Sequence, residues 1–106
     1  MVFLNEQAFE DLRSIFDGLL HWTTLNGENR MSYEEVVDYY EDLIYQCYTL
    51  DSLSYHAKAT YLIHQQYGKY VYCYNRNSRT TWYLIYEKDE DIIYINKIIN
   101  NHLTYM

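Results

Sequence analysis

Histidine, tyrosine and cationic side chains in the second half of the chain could carry out acid–base chemistry on a phosphodiester. Cleavage of RNA without a metal needs a group that takes the 2′-hydroxyl proton, a group that protonates the leaving oxygen, and cations that stabilise the transition-state charge. Histidine suits both proton steps because its unperturbed pKa of about 6.5 lies near neutrality. The candidate catalytic residues are His102, Arg76, Arg79 and Tyr105, and the candidate substrate-binding residues are Lys58, His64 and Lys69.

Each of these candidates also has an ordinary structural interpretation. His64 could simply pack beside Tyr67, and Arg76 and Arg79 could be solvated loop residues. Tyr105 could be a residue of a frayed chain end. The set is therefore specific for this chemistry only in combination.

Charge is distributed unevenly along the chain. The 106 residues include 15 acidic and 8 basic side chains and carry a formal net charge of −7. Residues 54–86 nevertheless contain no aspartate or glutamate, and this window holds five of the seven candidates. A polyanion would be repelled least there. The alternative is that the acidic residues lie on solvated helix faces, and that strands contain few of them.

Composition excludes several classes of protein. A chain of this length with 49% hydrophobic residues predicts one domain, residues 1–106. No apolar run approaches the roughly 20 residues of a membrane-spanning helix, and the first residues do not resemble a signal peptide, so we expect a cytoplasmic protein. Cys47 and Cys73 are too few for a disulfide framework or a cysteine zinc site, and we expect two buried free thiols, no metal and no cofactor.

Two amphipathic helices are predicted in the first half. A short apolar run at 2–4 could form an edge strand, and Asn5 after it is a good N-cap. Apolar residues then recur at three- and four-residue steps as far as a turn at 26–30. Ser32 and Glu35 form a capping box for a second helix, so the two helices are expected to form a hairpin.

The periodicity changes to two after residue 55. Residues 70–74, 80–86 and 92–96 are rich in β-branched and aromatic side chains and predict an antiparallel meander, whereas 55–67 could be a strand or a short helix. Alternation is expected to turn Cys73 inward and the tyrosines at 70, 72 and 74 to the accessible face. There the tyrosines could stack unpaired bases, pack across strands, or contact a protein partner.

Two motifs in this half carry a family resemblance. Residues 82–87 (WYLIYE) and 91–98 (DIIYINKI) are similar to the central hairpin of the RelE/ParE superfamily of type II toxin–antitoxin toxins. Residues 102–105 (HLTY) resemble the His-x-x-Tyr tail of HigB-like members. The resemblance implies an α+β fold of order β-α-α-β-β-β, with a two-helix hairpin packed on an antiparallel sheet.

The same resemblance implies a toxin that cuts messenger RNA at the ribosome as a metal-independent endoribonuclease, with a cognate antitoxin as partner and no membrane association. Tyr83 fills a strand position where RNA-cutting members usually carry arginine. The alternative is a non-catalytic RelE/ParE-fold binding module that inhibits a protein target such as gyrase, or that has lost activity. In either case an antitoxin is expected to cover the cationic residues of 54–86 and to leave the acidic helices outside.

Overall fold

The computed structural model describes residues 1–24 and 32–102, with the side chains of 22–24 excepted. The predicted turn at 26–30 and Tyr105 lie outside the described residues. The elements are β1 (Val2–Leu4), α1 (Glu6–Thr24), α2 (Tyr33–Tyr48), the short helix α3 (Leu62–Gln65), β2 (Tyr70–Asn75), β3 (Thr81–Asp89) and β4 (Ile92–Asn100). No helix in these ranges is long and apolar enough to cross a membrane.

The predicted helix starts are confirmed. The Asn5 side-chain oxygen accepts a hydrogen bond from the Ala8 N–H at 2.9 Å, and the Ser32 hydroxyl accepts one from the Glu35 N–H at 3.1 Å. Each cap satisfies a backbone donor that the helix itself leaves unpaired. Both helices bury an apolar stripe against one face of the sheet, which gives an α+β architecture of two layers.

The sheet has the order β1-β4-β3-β2. The antiparallel meander of β2, β3 and β4 is confirmed, but β1 pairs with β4 in the parallel direction. The sheet is therefore mixed, and the prediction of a wholly antiparallel sheet is wrong. Between β1 and β4 the chain passes through both helices and the first two strands of the meander, so no hairpin joins β1 to β4. Without a hairpin, the connection does not force the two strands to be antiparallel.

A bulge in β4 changes which side chains face the helices. Tyr86 is opposite Ile95 and Ile85 is opposite Lys97, so Asn96 is an extra residue in the ladder. Ile95 before the bulge and Ile98 after it both join the core. The bulge also lets β4 continue to Asn100, four residues beyond the predicted end of this strand.

The tyrosine stripe of β2 faces the helices, which is opposite to the prediction. Tyr70, Tyr72 and Tyr74 are opposite the buried Tyr86, Leu84 and Trp82 of β3, and they pack against the core. Cys73 is exposed on the other face, so the prediction of a buried Cys73 and an open aromatic platform is wrong. The register with β3 determines which side chains of β2 face the helices, because paired residues on neighbouring strands lie on the same side of the sheet.

Residues 57–68 cover part of the second face of the sheet. This segment contains the short helix α3 and a single isolated antiparallel bridge from Lys58 to Tyr70, so of the two structures considered for 55–67 the short helix occurs and a strand does not. Asn96 donates a side-chain hydrogen bond to the Tyr67 carbonyl at 2.7 Å. Ile85 is fully buried although it points away from α1 and α2. The central strand β3 is thus covered on both sides at this point.

Candidate functional site

The predicted cationic residues lie at two ends of β2. Lys58 bridges to Tyr70 at the start of this strand, and the Lys69 ammonium lies 5.5 Å from the centroid of the Tyr70 ring. Arg76 follows the other end of the strand. A six-residue strand separates these ends by roughly 17 Å, at about 3.3 Å per residue. The lysines and the arginines therefore do not form one compact phosphate-binding surface.

Arg76 joins the β2–β3 hairpin to helix α2. Its guanidinium donates a hydrogen bond to the Asp42 carboxylate at 3.2 Å and lies 4.5 Å from the centroid of the Tyr39 ring. The Tyr39 hydroxyl in turn accepts a hydrogen bond from the Trp82 indole at 2.8 Å. The charge of Arg76 is thus already compensated, and the residue stabilises the packing of α2 on the sheet.

His64 is buried on the second face of the sheet. Its side chain is 1% exposed, and within the described ranges neither ring nitrogen has a hydrogen-bond partner. The ring centroid lies 4.6 Å from that of Tyr83 and 5.4 Å from that of Tyr61. Desolvation lowers the pKa of His64 below its usual value. A neutral imidazole in this position packs between aromatic rings, and its contact with Tyr61 and Tyr83 differs from the predicted packing beside Tyr67.

The buried His64 should make stability depend on pH in mild acid. Below about pH 6.5 the unfolded chain takes up a proton that folded His64 resists, so the free energy of unfolding should fall by up to about 1.4 kcal/mol per pH unit. Urea unfolding of the wild-type chain and of His64→Leu between pH 7 and about 5 checks this, and the variant should lose that slope. The exposed His102→Leu is the matched control; equal slopes in all three proteins would contradict the assignment.

A cleft of about 790 Å³ lies between α1 and the part of β4 that extends beyond β1. This volume falls within the range of small-ligand and peptide side-chain pockets, about 300–1,000 Å³. Helices α1, α2 and α3, the residues after α3, and strands β3 and β4 all contribute. The apolar lining residues are Ile15, Leu19, Tyr39, Ile63, Tyr67, Trp82, Ile98 and Ile99.

An ion pair forms the polar part of the cleft. The Asp11 carboxylate accepts hydrogen bonds from the Lys97 ammonium at 3.0 Å and from the Ile98 N–H at 2.9 Å. Asp11 and Lys97 are 11% and 19% exposed. The carboxylate thereby takes the place of a strand carbonyl at the edge of β4, where β1 has already ended. Both residues were missed in the sequence, although a lysine among the isoleucines of β4 signals a buried charge that needs a partner.

The cleft opens beside the ends of β3 and β4. The His102 ring and the Thr80 hydroxyl are 3.1 Å apart, and the Asn101 side chain donates a hydrogen bond to the Arg79 carbonyl at 3.0 Å. The structure therefore brings the His102 ring, Thr80 and the backbone of Arg79 together at this rim, whereas it places Arg76 against α2 and the His64 side chain between the 57–68 segment and the sheet. In the part of the chain that is described, no group of histidine, cysteine, aspartate or glutamate residues is arranged to hold a metal ion.

Gly18 lines the cleft but contributes no side chain to its wall. It lies inside α1, and a Cβ atom built on it would have no described atom within 4 Å apart from its chain neighbours and the backbone of its own helix. Packing therefore does not require a glycine here, although glycine inside a helix costs roughly 1 kcal/mol relative to alanine. A helix that exposes its backbone to an apolar cleft permits a bound chain to approach closely.

Replacement of Gly18 by alanine should raise the free energy of unfolding by about 0.5–1 kcal/mol, because the helix gains propensity and the methyl group meets no obstacle. Urea denaturation of the variant beside the wild-type chain measures this gain. A loss of stability would show that the position is sterically restricted.

The chain as a whole was also compared with known proteins. It matches no protein-family model, no curated protein and no solved structure.

Proposed function

We propose that this protein is a binding module that takes an apolar segment of a partner protein into the cleft. The observation that carries the proposal is Gly18, which leaves the wall of α1 open at the cost of helix stability while apolar side chains line the rest of the cleft. The exposed His102 at the rim, with the exposed Arg79 directly before its partner Thr80 in the chain, favours a segment with an acidic residue beside its apolar side chains.

Dispersal of the candidate catalytic residues favours binding over RNA cleavage. Arg76 is neutralised by Asp42, His64 is buried, and the lysines lie at the far end of β2. A nuclease needs its acid, base and cations within hydrogen-bond reach of one phosphate. In the RelE/ParE-like class that the sequence resembles, the proposed function corresponds to a module that acts by protein contact, and its partner is an antitoxin or the inhibited protein.

Cleavage of messenger RNA is the second candidate function. It is favoured by the contact between the His102 ring and the Thr80 hydroxyl, since an imidazole and a hydroxyl lie at one rim and Arg79 precedes Thr80 in the chain. In this case His102 transfers the proton and Arg79 stabilises the phosphate charge. Binding in the cleft and RNA cleavage predict that different substitutions abolish growth inhibition.

The test uses four chains expressed in bacterial cells: the wild type, Gly18→Trp, Gly18→Ala and the double variant Arg79→Ala, His102→Ala. Growth is followed, and transcript ends are mapped by primer extension. A photo-crosslinking amino acid at Ser14, which lines the cleft, reports partners, and the same group at exposed Tyr55 is the control.

Binding in the cleft predicts a partner crosslinked from Ser14 and not from Tyr55, and predicts that Gly18→Trp prevents both the crosslink and any growth inhibition. Transcripts should stay intact with all four chains, and Gly18→Ala and the double variant should keep the crosslink from Ser14, each weakening it less than Gly18→Trp does. Discrete cleavage products that disappear in the double variant would instead establish the nuclease. The absence of any crosslink specific to Ser14 would contradict the binding proposal.

A further inference from the structure

The outer side of the helix pair carries an aromatic groove. Side chains of α1 and α2 line a depression of about 440 Å³ that is distinct from the cleft. Phe9 and Tyr48 are 57% and 49% exposed, and the Phe16 and Tyr40 rings contact each other with centroids 4.8 Å apart. The exposed aromatic rings of two neighbouring helices form the kind of surface that binds a third helix through residues spaced three and four apart.

Acidic side chains outnumber basic ones on the two helices that form this groove. Asp11 and Asp42 are already paired with Lys97 and Arg76. The remaining carboxylates of the two helices are all exposed. Against them stands one lysine or arginine in the sequence of α1 and α2, Arg13, which itself lines the groove. These seven carboxylates are Glu6, Glu10, Asp17, Glu34, Glu35, Asp38 and Glu41.

We propose that the groove binds a basic amphipathic helix of a partner protein. The aromatic rings contact the apolar stripe of that helix, and exposed carboxylates of both helices, such as Glu10 and Glu41, pair with its lysine and arginine side chains. A second copy of this chain is disfavoured because two acidic surfaces would face each other, and RNA or an anionic membrane is repelled for the same reason. The surface lies on the other side of α1 from the cleft, so the inference is independent of the proposed function.

The probe is a fluorescent peptide of about 18 residues built from leucine and lysine, with leucines at helical spacing. A scrambled peptide of equal composition and a leucine–glutamate peptide are the comparison ligands. Fluorescence anisotropy measures binding to the full chain at low and at physiological salt. The wild-type chain should bind the amphipathic basic peptide at least tenfold more tightly than either comparison peptide, and binding should weaken as salt rises.

Matched variants show whether the peptide binds in the groove or is only attracted by the opposite charge of the protein. Phe9→Ala should weaken binding of the amphipathic peptide about tenfold, whereas Tyr55→Ala, at a 77% exposed tyrosine outside the groove, should not change it. The double variant Glu10→Gln, Glu41→Gln should weaken binding several-fold more than Asp89→Asn, Asp91→Asn, which removes the same charge at the β3–β4 turn. Folding of each variant is checked by circular dichroism.

Any of three binding results would overturn the proposal, and one sedimentation result would do so as well. The binding results are no binding at low salt, equal binding of the scrambled peptide, or equal losses in the groove and control variants. Sedimentation of the wild-type chain is measured in parallel. Self-association that Phe9→Ala abolishes would make a second copy the occupant of the groove, and would likewise overturn it.

Discussion

Replacing Asp11 by alanine should lower the free energy of unfolding by about 3 kcal/mol. The change leaves the Lys97 ammonium without its carboxylate and the Ile98 N–H without its acceptor, and both groups lie in a largely buried place. The loss of one partner from a buried charge pair costs about 3–5 kcal/mol, and the lower end applies because some water still reaches the pair. Urea unfolding at neutral pH measures the difference.

Two comparisons show whether the ion pair is the cause. Asp17→Ala removes an exposed carboxylate from the same helix and should change stability by no more than about 0.5 kcal/mol. The double variant Asp11→Ala, Lys97→Met should recover part of the loss, because no unpaired ammonium then remains. If Asp11→Ala and Asp17→Ala unfold at the same urea concentration, the carboxylate does not stabilise the edge of β4.

Gly68→Ala should destabilise the protein by about 1–3 kcal/mol, which is opposite in sign to the same substitution at Gly18. A Cβ atom at Gly68 would lie 2.7 Å from the carbonyl oxygen of Tyr86, and this backbone cannot retreat because β3 is paired with a strand on each side. The 57–68 segment must therefore lift away from the sheet, which should also expose His64.

Thermal unfolding of the two alanine variants, measured side by side, tests this pair of predictions. The NMR titration of the His64 ring in Gly68→Ala gives a second readout, since its pKa should return toward the usual value as the ring gains water. A Gly68→Ala variant as stable as the wild-type chain would show that the segment adjusts without cost.

The helices were predictable because their signals are local. A cap such as Asn5 or Ser32 binds a backbone group three residues away, and the apolar repeat needs no knowledge of the partner surface. Local signals could not predict which side of β2 packs against the helices. Both of its sides carry apolar side chains, Val71 and Cys73 or the three tyrosines, so only the pairing with β3 determines which side is buried.

The candidate site was predicted only in part. The His102 ring and the Arg79 backbone do lie at the same end of the meander, since both flank it. The length of β2, which the charge pattern of 54–86 does not indicate, separates Lys69 from Arg76. The bulge at Asn96 has no local signal, and it determines how Lys97 and Ile98 meet Asp11 at the edge of the sheet. The contribution of Gly18 to the cleft depends on which described side chains lie near it in the fold, and this cannot be read from its position in the sequence.

The two cysteines differ in accessibility, and this difference allows opening of the core to be measured by alkylation. Cys47 is fully buried on the core side of α2, and burial raises its pKa to about 12, whereas Cys73 is exposed on the second face of the sheet, although desolvation raises its pKa as well. Only the thiolate reacts with alkylating reagents, so Cys73 accepts a label in the folded protein and Cys47 reacts only when the core opens. Once Cys73 is blocked, the rate of the second alkylation measures how often α2 leaves the sheet under native conditions.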